Sequence, residues 1–281
     1  MQIDVLGILD VRVNGVSVAP TAPKPRQVLA LLALHADQVV PVAALIDELW
    51  AGRPPRSART TLQTYVLQLR DLITVALQEQ GSAAGGAPAV SAKDVLVTAP
   101  GGYLLVSGEG TSDVREFERL TGQGYRAMDA GDFPGAAGLL RQALDLWSGP
   151  AFADVQTGAQ LEMEAKRLEE SRLCALDQRI EADLRLGRHR ELLAELTVLT
   201  SRYRAHENLH AQFMLALHRS GRRGEALDVY HKLRSTLVRD LGLEPSARLR
   251  RLQQSILVAA PETPLGAEGP LATARAASDA C

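Results

Sequence analysis

A possible zinc site lies at residues 206–210, where the sequence is His-Glu-Asn-Leu-His. Two histidines four residues apart lie on one face of a helix and can ligate one zinc ion, and the glutamate between them can activate a water molecule. A catalytic zinc needs a third protein ligand. The extended metalloprotease pattern has glycine and histidine where this chain has Phe213 and Ala216. The sequence therefore favours a chance match at the start of a helix over a zinc protease or an incidental surface zinc, and we expect no metal and no enzyme.

A different chemistry is indicated by the stretch from Leu49 to Arg70, which contains four arginines and no acidic residue. Its surroundings predict a short helix ending near Trp50, a turn with glycine and proline, and a longer helix beginning at Ser57. Two helices joined by a tight turn, the second of them basic, form the arrangement that places a helix in the DNA major groove.

The longer predicted helix, residues 57–77, is amphipathic. At about 100° per residue, one apolar stripe contains Leu62, Tyr65, Val66, Leu69, Ile73 and Ala76. The opposite side presents Thr60, Thr64, Leu67 and Asp71, with Ser57 and Gln63 at its margins. The flanks carry Arg56, Arg59, Gln68 and Arg70. Hydroxyls and amides can contact base edges, arginines can contact phosphates or a guanine, and Leu67 can contact a thymine methyl group. Asp71 marks the expected end of the contact.

Four further residues are candidates for DNA contact. Lys24 and Arg26, at the start of the first helix, either hold phosphates at the positive end of the helix dipole or are ordinary exposed charges. Gly102, in the turn of a predicted hairpin, lets the backbone approach DNA because it has no side chain. Tyr103 is either a DNA contact or a core residue.

The elements that position these residues are predicted from periodicity. Residues 1–20 alternate as strands, with a hairpin turn at Asn14 and Gly15. Helices are predicted at 25–35, 42–50 and 57–77, a flexible Gly/Ala-rich loop at 80–92, and a hairpin from strands 95–98 and 103–106. Residues 1–107 are therefore predicted to form a winged helix-turn-helix domain with an extra N-terminal sheet.

A second, all-helical domain is predicted at residues 113–258. Residues 182–189 are echoed by 216–223, an offset of 34 residues, with Gly187 and Gly221 in the same place. Residues 127–140 match more loosely. This period is that of tetratricopeptide repeats, whose helical pairs must stack to bury their apolar faces. Residues 261–281 predict a disordered tail. The predicted fold class is mostly α with small β.

Composition supports two domains and excludes several classes. The 281 residues include 4% aromatics and carry a net charge of −2, which does not suggest a nucleic-acid binder, although groove binding depends on the local patch. Cys174 and Cys281 give neither a disulfide framework nor a metal spacing, and Cys174 is expected in a core. No apolar run is long enough to span a membrane, so a cytoplasmic location is predicted. No phosphate-binding loop is present, so no nucleotide cofactor is expected.

Several stretches together resemble the Streptomyces antibiotic regulatory protein family over residues 2–258. They are VLGILDVRVNG, KPRQVLALLALHADQVVPVAALIDELW, PPRSARTTLQTYVLQLRDLI, APGGYLLV, DLWSGPAFADV and SGRRGEALDVYHKLRSTLVRDLGLEPSARLRRLQQSIL. The resemblance implies an OmpR-like winged helix followed by a bacterial transcriptional activation domain. It also implies a transcriptional activator of antibiotic biosynthesis genes, acting at the nucleoid.

The resemblance also implies partners. Two protomers of such proteins bind side by side to direct repeats in promoter DNA near the −35 element and recruit RNA polymerase, with the sigma and alpha subunits as first candidates and the beta flap as a further one. The base-contacting helix corresponds to the one that contains Arg56 and Arg70. The polymerase-contacting turn corresponds to Trp50, Ala51, Gly52 and Arg53. Same-face binding requires half-sites about 10–11 base pairs apart. The ATPase and sensor domains of larger members, and a receiver domain, are not indicated.

One alternative remains open from the residues alone. The chain could be a helical-repeat adaptor whose concave face binds a protein or a small molecule, with a merely structural N-terminal domain.

Overall fold

The computed structural model describes residues 1–79 and 90–258, so most of the predicted 80–92 loop and the predicted 261–281 tail lie outside the described residues. The strands are β1 Gln2–Asp4, β2 Asp10–Val13, β3 Val16–Ser17, β4 Val39–Pro41, β5 Leu96–Ala99, β6 Gly102–Leu105 and β7 Thr111–Ser112. The helices are α1 Pro23–Leu34, α2 Val42–Trp50, α3 Ala58–Gln78, α4 Ala92–Val95, α5 Asp113–Asp129, α6 Phe133–Asp145, α7 Ala159–Arg185, α8 Leu193–Arg202, α9 Glu207–Arg219, α10 Arg223–Leu241 and α11 Ala247–Val258. The fold is mostly helical with small sheets, as predicted.

The chain divides into two compact units, Met1–Arg188 and a second beginning at His189. The first unit contains α5, α6 and α7 together with the N-terminal elements. Phe117 and Trp147 of this helical part lie in the same apolar core as Leu29 and Ile3. The domain bounds 1–107 and 113–258 stay a prediction.

A four-stranded sheet with the order β3-β2-β1-β7 opens the first unit. The predicted hairpin joins β2 to β3, and Asn14 and Gly15 both adopt positive φ, at 52° and 84°. That conformation matches the twist of an antiparallel pair and favours Asn-Gly. Strand β7 pairs in parallel with β1, so the chain returns to its own beginning before α5 starts.

Helices α1, α2 and α3 and the sheet β4-β6-β5 form the predicted winged helix. The predicted apolar stripe of α3 is confirmed: Leu62, Val66, Leu69, Ile73 and Ala76 are buried and Tyr65 is half-buried. Burial of each large side chain in such a stripe stabilises the fold by about 1.5–3 kcal/mol. The stripe therefore fixes which side of α3 faces outward. The short helix α4 was not predicted.

The segment after α6 pairs with the N-terminus of the chain. The N–H groups of Ser148, Phe152 and Ala153 donate to the carbonyls of Leu6, Val5 and Gly7 at 2.8–2.9 Å. The carboxylate of Asp154 accepts from the N–H of Leu9 at 2.8 Å and from Arg26. These bonds tie the first ten residues to a segment about 145 positions later.

Asp113, the first residue of α5, holds the same N-terminal segment. Its carboxylate accepts the N–H groups of Val5 and Leu6 at 2.6 and 2.7 Å. Burial raises the pKa of Asp113 to about 6, against the lowering effect of these hydrogen bonds.

The N-terminus of α7 is capped from a distance by Glu48 of α2, which is only 3% exposed. The carboxylate accepts the N–H groups of Gly158, Gln160 and Leu161 at 2.5, 2.8 and 3.2 Å. The first N–H groups of a helix have no partner inside it, and they carry partial positive charge. Glu48 satisfies them and thereby fixes α2 to α7.

Three helix ends repeat the same turn, which supports the predicted repeat. Gly131, Gly187 and Gly221 adopt φ of 77°, 78° and 79°. In each case the N–H of the next residue bonds five positions back, as from Asp132 to Ala127, Arg188 to Asp183 and Arg222 to Leu217, at 2.9–3.0 Å. Because only glycine adopts this conformation freely, the glycine spacing in the sequence marks the ends of helices.

The second unit has its own core, in which α9, α10 and α11 bury Met214, Leu217, Tyr230, Leu233 and Ile256. Its last helix is capped from α9, since Glu207 accepts the N–H of Ser246 at 2.9 Å. No described helix is long and apolar enough to cross a membrane.

The expectation that Cys174 lies in a core was wrong, because the residue is exposed. The buried line of α7 runs through Leu161, Leu168, Ala175 and Ala182, which places Cys174 one residue away from it. Partial burial and the nearby acids Glu170 and Asp177 raise the pKa of the thiol, which disfavours the reactive thiolate.

Candidate nucleic-acid interface

The outward side of α3 is polar and accessible. Thr60, Gln63, Thr64 and Gln68 are exposed, and Leu67 at the centre of this side is 57% exposed. The hydroxyl of Thr64 donates to the carbonyl of Thr60 at 3.1 Å, so its exposed oxygen still has lone pairs that can accept a hydrogen bond. The structure therefore brings together the predicted base-contacting residues on one surface of short polar side chains around one leucine. We call this the α3 face.

Three arginines flank the start of the α3 face. Arg53, Arg56 and Arg59 are all exposed, and among the described residues none of them forms an ion pair. The beginning of α3 adds to this positive charge, because Ser57 makes no side-chain cap and the first turn contains no acidic residue. A helix N-terminus that has no side-chain cap and is surrounded by exposed arginines is suited to bind phosphate.

Arg70 connects α3 to the hairpin β5–β6, which is the wing. Its guanidinium donates to the carbonyl of Leu96 at 3.0 and 2.7 Å and to the hydroxyl of Thr98 at 2.8 Å. The predicted DNA-contacting arginine thus has two of its nitrogens engaged within the protein. Its position fixes the wing against α3.

The wing turn lies at Pro100 and Gly101, which are exposed, with Gly101 at φ 80°. Gly102 is buried, and a Cβ added there would lie 2.3 Å from the carbonyl oxygen of Val40. Glycine is therefore required at position 102, because β6 pairs closely with β4 there. Tyr103 is 7% exposed, which decides between its two interpretations in favour of the core. Gly102 has no side chain and the Tyr103 side chain is buried, so neither residue contributes a side chain to the α3 face.

Lys24 and Arg26 are engaged inside the protein. The Lys24 ammonium donates to the carbonyl of Leu49 at 2.6 Å. Arg26 pairs with Asp154, and its guanidinium also donates to the carbonyls of Pro20 and Leu9 at 3.0 and 2.9 Å. These contacts account for both charges, so neither residue is part of the proposed interface.

The turn between α2 and α3 projects outward. Ala51 and Gly52 adopt φ of 47° and 75°, and both are exposed with Arg53. Trp50 instead is partly buried against the core of the first unit. Of the four residues predicted to contact polymerase, Trp50 therefore packs against the core, and Ala51, Gly52 and Arg53 form an exposed tip.

The histidine pair at 206 and 210 has structural roles. His206 caps α9, since its Nδ1 accepts the N–H of Leu209 at 3.3 Å, and Glu207 caps α11 as described above. His210 is buried, with its Nδ1 3.0 Å from the carbonyl oxygen of His206. Within the described parts of the chain, no group of three His, Cys, Asp or Glu residues is placed to hold a metal ion.

Some contacts that shape this interface were not predicted. Thr98 as the partner of Arg70, and Glu48 as the cap of α7, depend on pairs of residues 28 and 110 or more positions apart. No local pattern indicates them. The helix α4 did have a signal, because Ser91 and Asp94 form the capping box S-x-x-D.

Comparison with known proteins gives two family matches. Residues 112–257 match the model of the bacterial transcriptional activator domain, and residues 18–80 match that of the C-terminal domain of transcriptional regulatory proteins.

Individual relatives agree with these matches. The regulatory protein DnrI of Streptomyces peucetius is 57% identical over 261 residues, which is 93% of each chain. The regulatory protein AfsR of Streptomyces coelicolor is 36% identical over 93% of this chain but only 24% of its own. Among solved structures, Mycobacterium tuberculosis EmbR in complex with a low affinity phosphopeptide matches with a TM-score of 0.80 and 34% identity, over 91% of this chain and 64% of that one.

Proposed function

The chain belongs to the Streptomyces antibiotic regulatory protein family of transcriptional activators, and we propose that it acts by inserting the α3 face into the major groove of promoter DNA. Its targets are direct repeats near the −35 element of antibiotic biosynthesis promoters, and its site of action is the nucleoid in the cytoplasm. The observation that carries this proposal is the exposed polar surface of α3 beside three arginines that form no ion pair with any residue the structure describes.

The division of labour follows from chemistry and position. Gln63 and Thr64 present amide and hydroxyl groups in the second turn of α3, where base edges are within reach. Arg56 and Arg59 lie at its beginning, where phosphates approach. Arg70 holds the wing so that its turn at Pro100 and Gly101 lies beside the same duplex. We propose that Leu67 contacts a thymine methyl group.

Two protomers are proposed to bind side by side. On direct repeats both present the α3 face in the same orientation, so half-sites separated by about one helical turn, roughly 10–11 base pairs, place them on the same side of the duplex. The exposed tip Ala51, Gly52 and Arg53 is proposed to contact RNA polymerase, with the sigma and alpha subunits as first candidates and the beta flap next.

Footprinting upstream of the genes adjacent to its own gene tests the proposal, followed by affinity measurements on the protected repeat. Gln63→Ala and Thr64→Ala should each weaken binding to this repeat by about 1–3 kcal/mol and leave random DNA unaffected. Arg59→Ala should weaken binding to the repeat and to random DNA alike, and it should reduce the slope of log K against log salt concentration by about 1. Gln78→Ala is the matched control, since Gln78 is an exposed amide of the same helix about 22 Å further along. Equal affinities of all four variants for the repeat would exclude α3 as the base-contacting helix.

Arg53→Ala separates polymerase contact from DNA contact. We expect this variant to bind the repeat as the wild type does and to activate transcription in vitro less strongly with purified polymerase. A proportional loss of binding and activation would instead assign Arg53 to the DNA.

A further inference from the structure

A second surface with recognition chemistry lies in the unit that begins at His189. It is a cleft of about 250 Å³ between the end of α8, the start of α9 and the middle of α10. None of its ten lining residues is acidic, and two of them, Arg204 and Lys232, are cationic and exposed. Among the described residues neither cation forms an ion pair, so the cleft has uncompensated positive charge.

Asp240 is the acidic residue on which the charge of Arg204 acts. Its carboxylate accepts hydrogen bonds from Arg239 at 2.7 and 3.0 Å, and Arg239 lowers the pKa of Asp240 more than Arg204 does. Arg204 is therefore available to an anion in the cleft.

The hydroxyl groups of the cleft are acceptors. Thr200, Ser201 and Thr236 donate their hydroxyl protons to the carbonyls of their own helices, at 2.7, 2.9 and 3.1 Å. Thr197 does the same at 2.8 Å. A hydroxyl that has given its proton to the backbone still has lone pairs, so these four oxygens can accept hydrogen bonds from a ligand.

His210 adds one more acceptor at the floor. The ring is 6% exposed, and its Nδ1 lies 3.0 Å from the carbonyl oxygen of His206, which requires that Nδ1 carry the proton. Burial lowers the pKa of His210, which favours the neutral ring. With the proton on Nδ1, the Nε2 lone pair is an acceptor on a buried side chain that lines the cleft.

We propose that this cleft binds a small anion bearing several hydroxyl groups, of the sugar-phosphate class. Arg204 and Lys232 pair with the anionic group, and the threonine and serine oxygens accept from the ligand hydroxyls. The apolar side chains Phe213 and Val229 cover the carbon skeleton. The volume of the cleft is close to the lower end of the range of small-molecule sites, which fits a ligand of this size.

Calorimetric titration of the full chain tests the proposal with three probes. Ribose 5-phosphate combines both chemistries, inorganic phosphate lacks the sugar, and ribose lacks the charge. We expect saturable binding of ribose 5-phosphate, about tenfold weaker binding of phosphate because two or more hydrogen bonds are lost, and no binding of ribose.

Variants assign the binding to the cleft. Arg204→Gln combined with Lys232→Gln should reduce the affinity for ribose 5-phosphate at least about tenfold, because two charge-assisted hydrogen bonds are lost. Arg251→Gln removes an exposed charge of α11 outside the cleft and should change nothing. Thr236→Val should weaken the binding of ribose 5-phosphate and leave the binding of inorganic phosphate unchanged. Circular dichroism checks that each variant is folded.

Three results would overturn the proposal. They are no saturable binding of ribose 5-phosphate at millimolar concentration, binding of ribose as strong as that of its phosphate, or full affinity in the folded double variant. None of these results bears on DNA binding by α3, so the two proposals fail separately.

Discussion

The contact of Glu48 with the start of α7 allows a quantitative test of how the helix-turn-helix is supported. Replacing Glu48 by alanine leaves three N–H groups of the α7 N-terminus without an acceptor in a buried place, and it removes a partner of the Gln27 side chain at 3.1 Å. Each buried donor left unpaired costs about 1–3 kcal/mol, and of the three donors the N–H of Leu161 is buried while those of Gly158 and Gln160 are partly buried. With the lower end of that range for the two partly buried donors, we expect Glu48→Ala to lower the free energy of unfolding of the first unit by about 4 kcal/mol.

Tryptophan fluorescence during urea unfolding measures this unit selectively. The chain has two tryptophans, and both Trp50 and Trp147 lie in the unit Met1–Arg188. With a denaturant slope of about 2 kcal/mol per molar urea, the expected loss lowers the midpoint by about 2 M. The urea midpoint of Glu48→Gln should lie between those of the wild type and Glu48→Ala, because the amide oxygen still accepts a hydrogen bond but carries no charge.

The matched control is Glu116→Ala. Glu116 is also a helical glutamate with a partner, the exposed Arg119 at 2.6 Å, but it lies at the surface, where such pairs contribute little. Its midpoint should stay at the wild-type value. If Glu48→Ala lowers the midpoint no more than Glu116→Ala does, with unchanged slope, the carboxylate does not hold α2 to α7 and the reasoning is refuted.

Two other predictions concern Asp113 and Arg70. Because the pKa of Asp113 is raised from 3.8 to about 6, its contribution to stability is complete below about pH 4 and is lost as the pH rises through 6, by up to about 3 kcal/mol. Asp113→Asn keeps an acceptor and cannot ionise, so its unfolding free energy should change less between pH 4 and 7, and a slope equal to the wild type would contradict this assignment. Arg70→Ala should speed amide hydrogen exchange in the wing and weaken binding to all DNA sequences alike, whereas Thr98→Val, which removes one of the three bonds, should do so less. Unchanged exchange in the wing would show that Arg70 does not fix it.

Local patterns in the sequence were sufficient for most of the winged helix. The bounds of α2 agree with the prediction, because its apolar period and the following glycine are both local signals. The same holds for the Asn14-Gly15 hairpin and for the apolar stripe of α3, which sets the outward direction of the α3 face. Periodicity predicts which side of a helix is buried, and therefore which residues remain for a ligand.

Most of the errors and omissions originate in long-range contacts, and one, Cys174, in the exact phase of a long helix. Glu48 is a charged residue of an amphipathic helix, and nothing near it indicates that its carboxylate is buried against a helix 110 residues later. The sequence around Arg26 indicates a phosphate ligand or an exposed charge, whereas its ion-pair partner Asp154 lies 128 residues further along the chain. Cys174 directly precedes Ala175, which is one of the buried residues of α7. On a long helix, a difference of one position decides whether a side chain lies in the core or at the surface.

The pairing of the N-terminal segment with residues 148–154 has a consequence for synthesis on the ribosome. The segment Val5–Leu9 emerges early, but its partners Asp113 and Asp154, and the start of α7 that Glu48 caps, are translated later. Contacts of such separation form only after the intervening chain has left the exit tunnel. A nascent chain interrupted before about residue 160 would expose the apolar surface of its winged helix, which makes chaperone capture and degradation the expected outcome of premature termination.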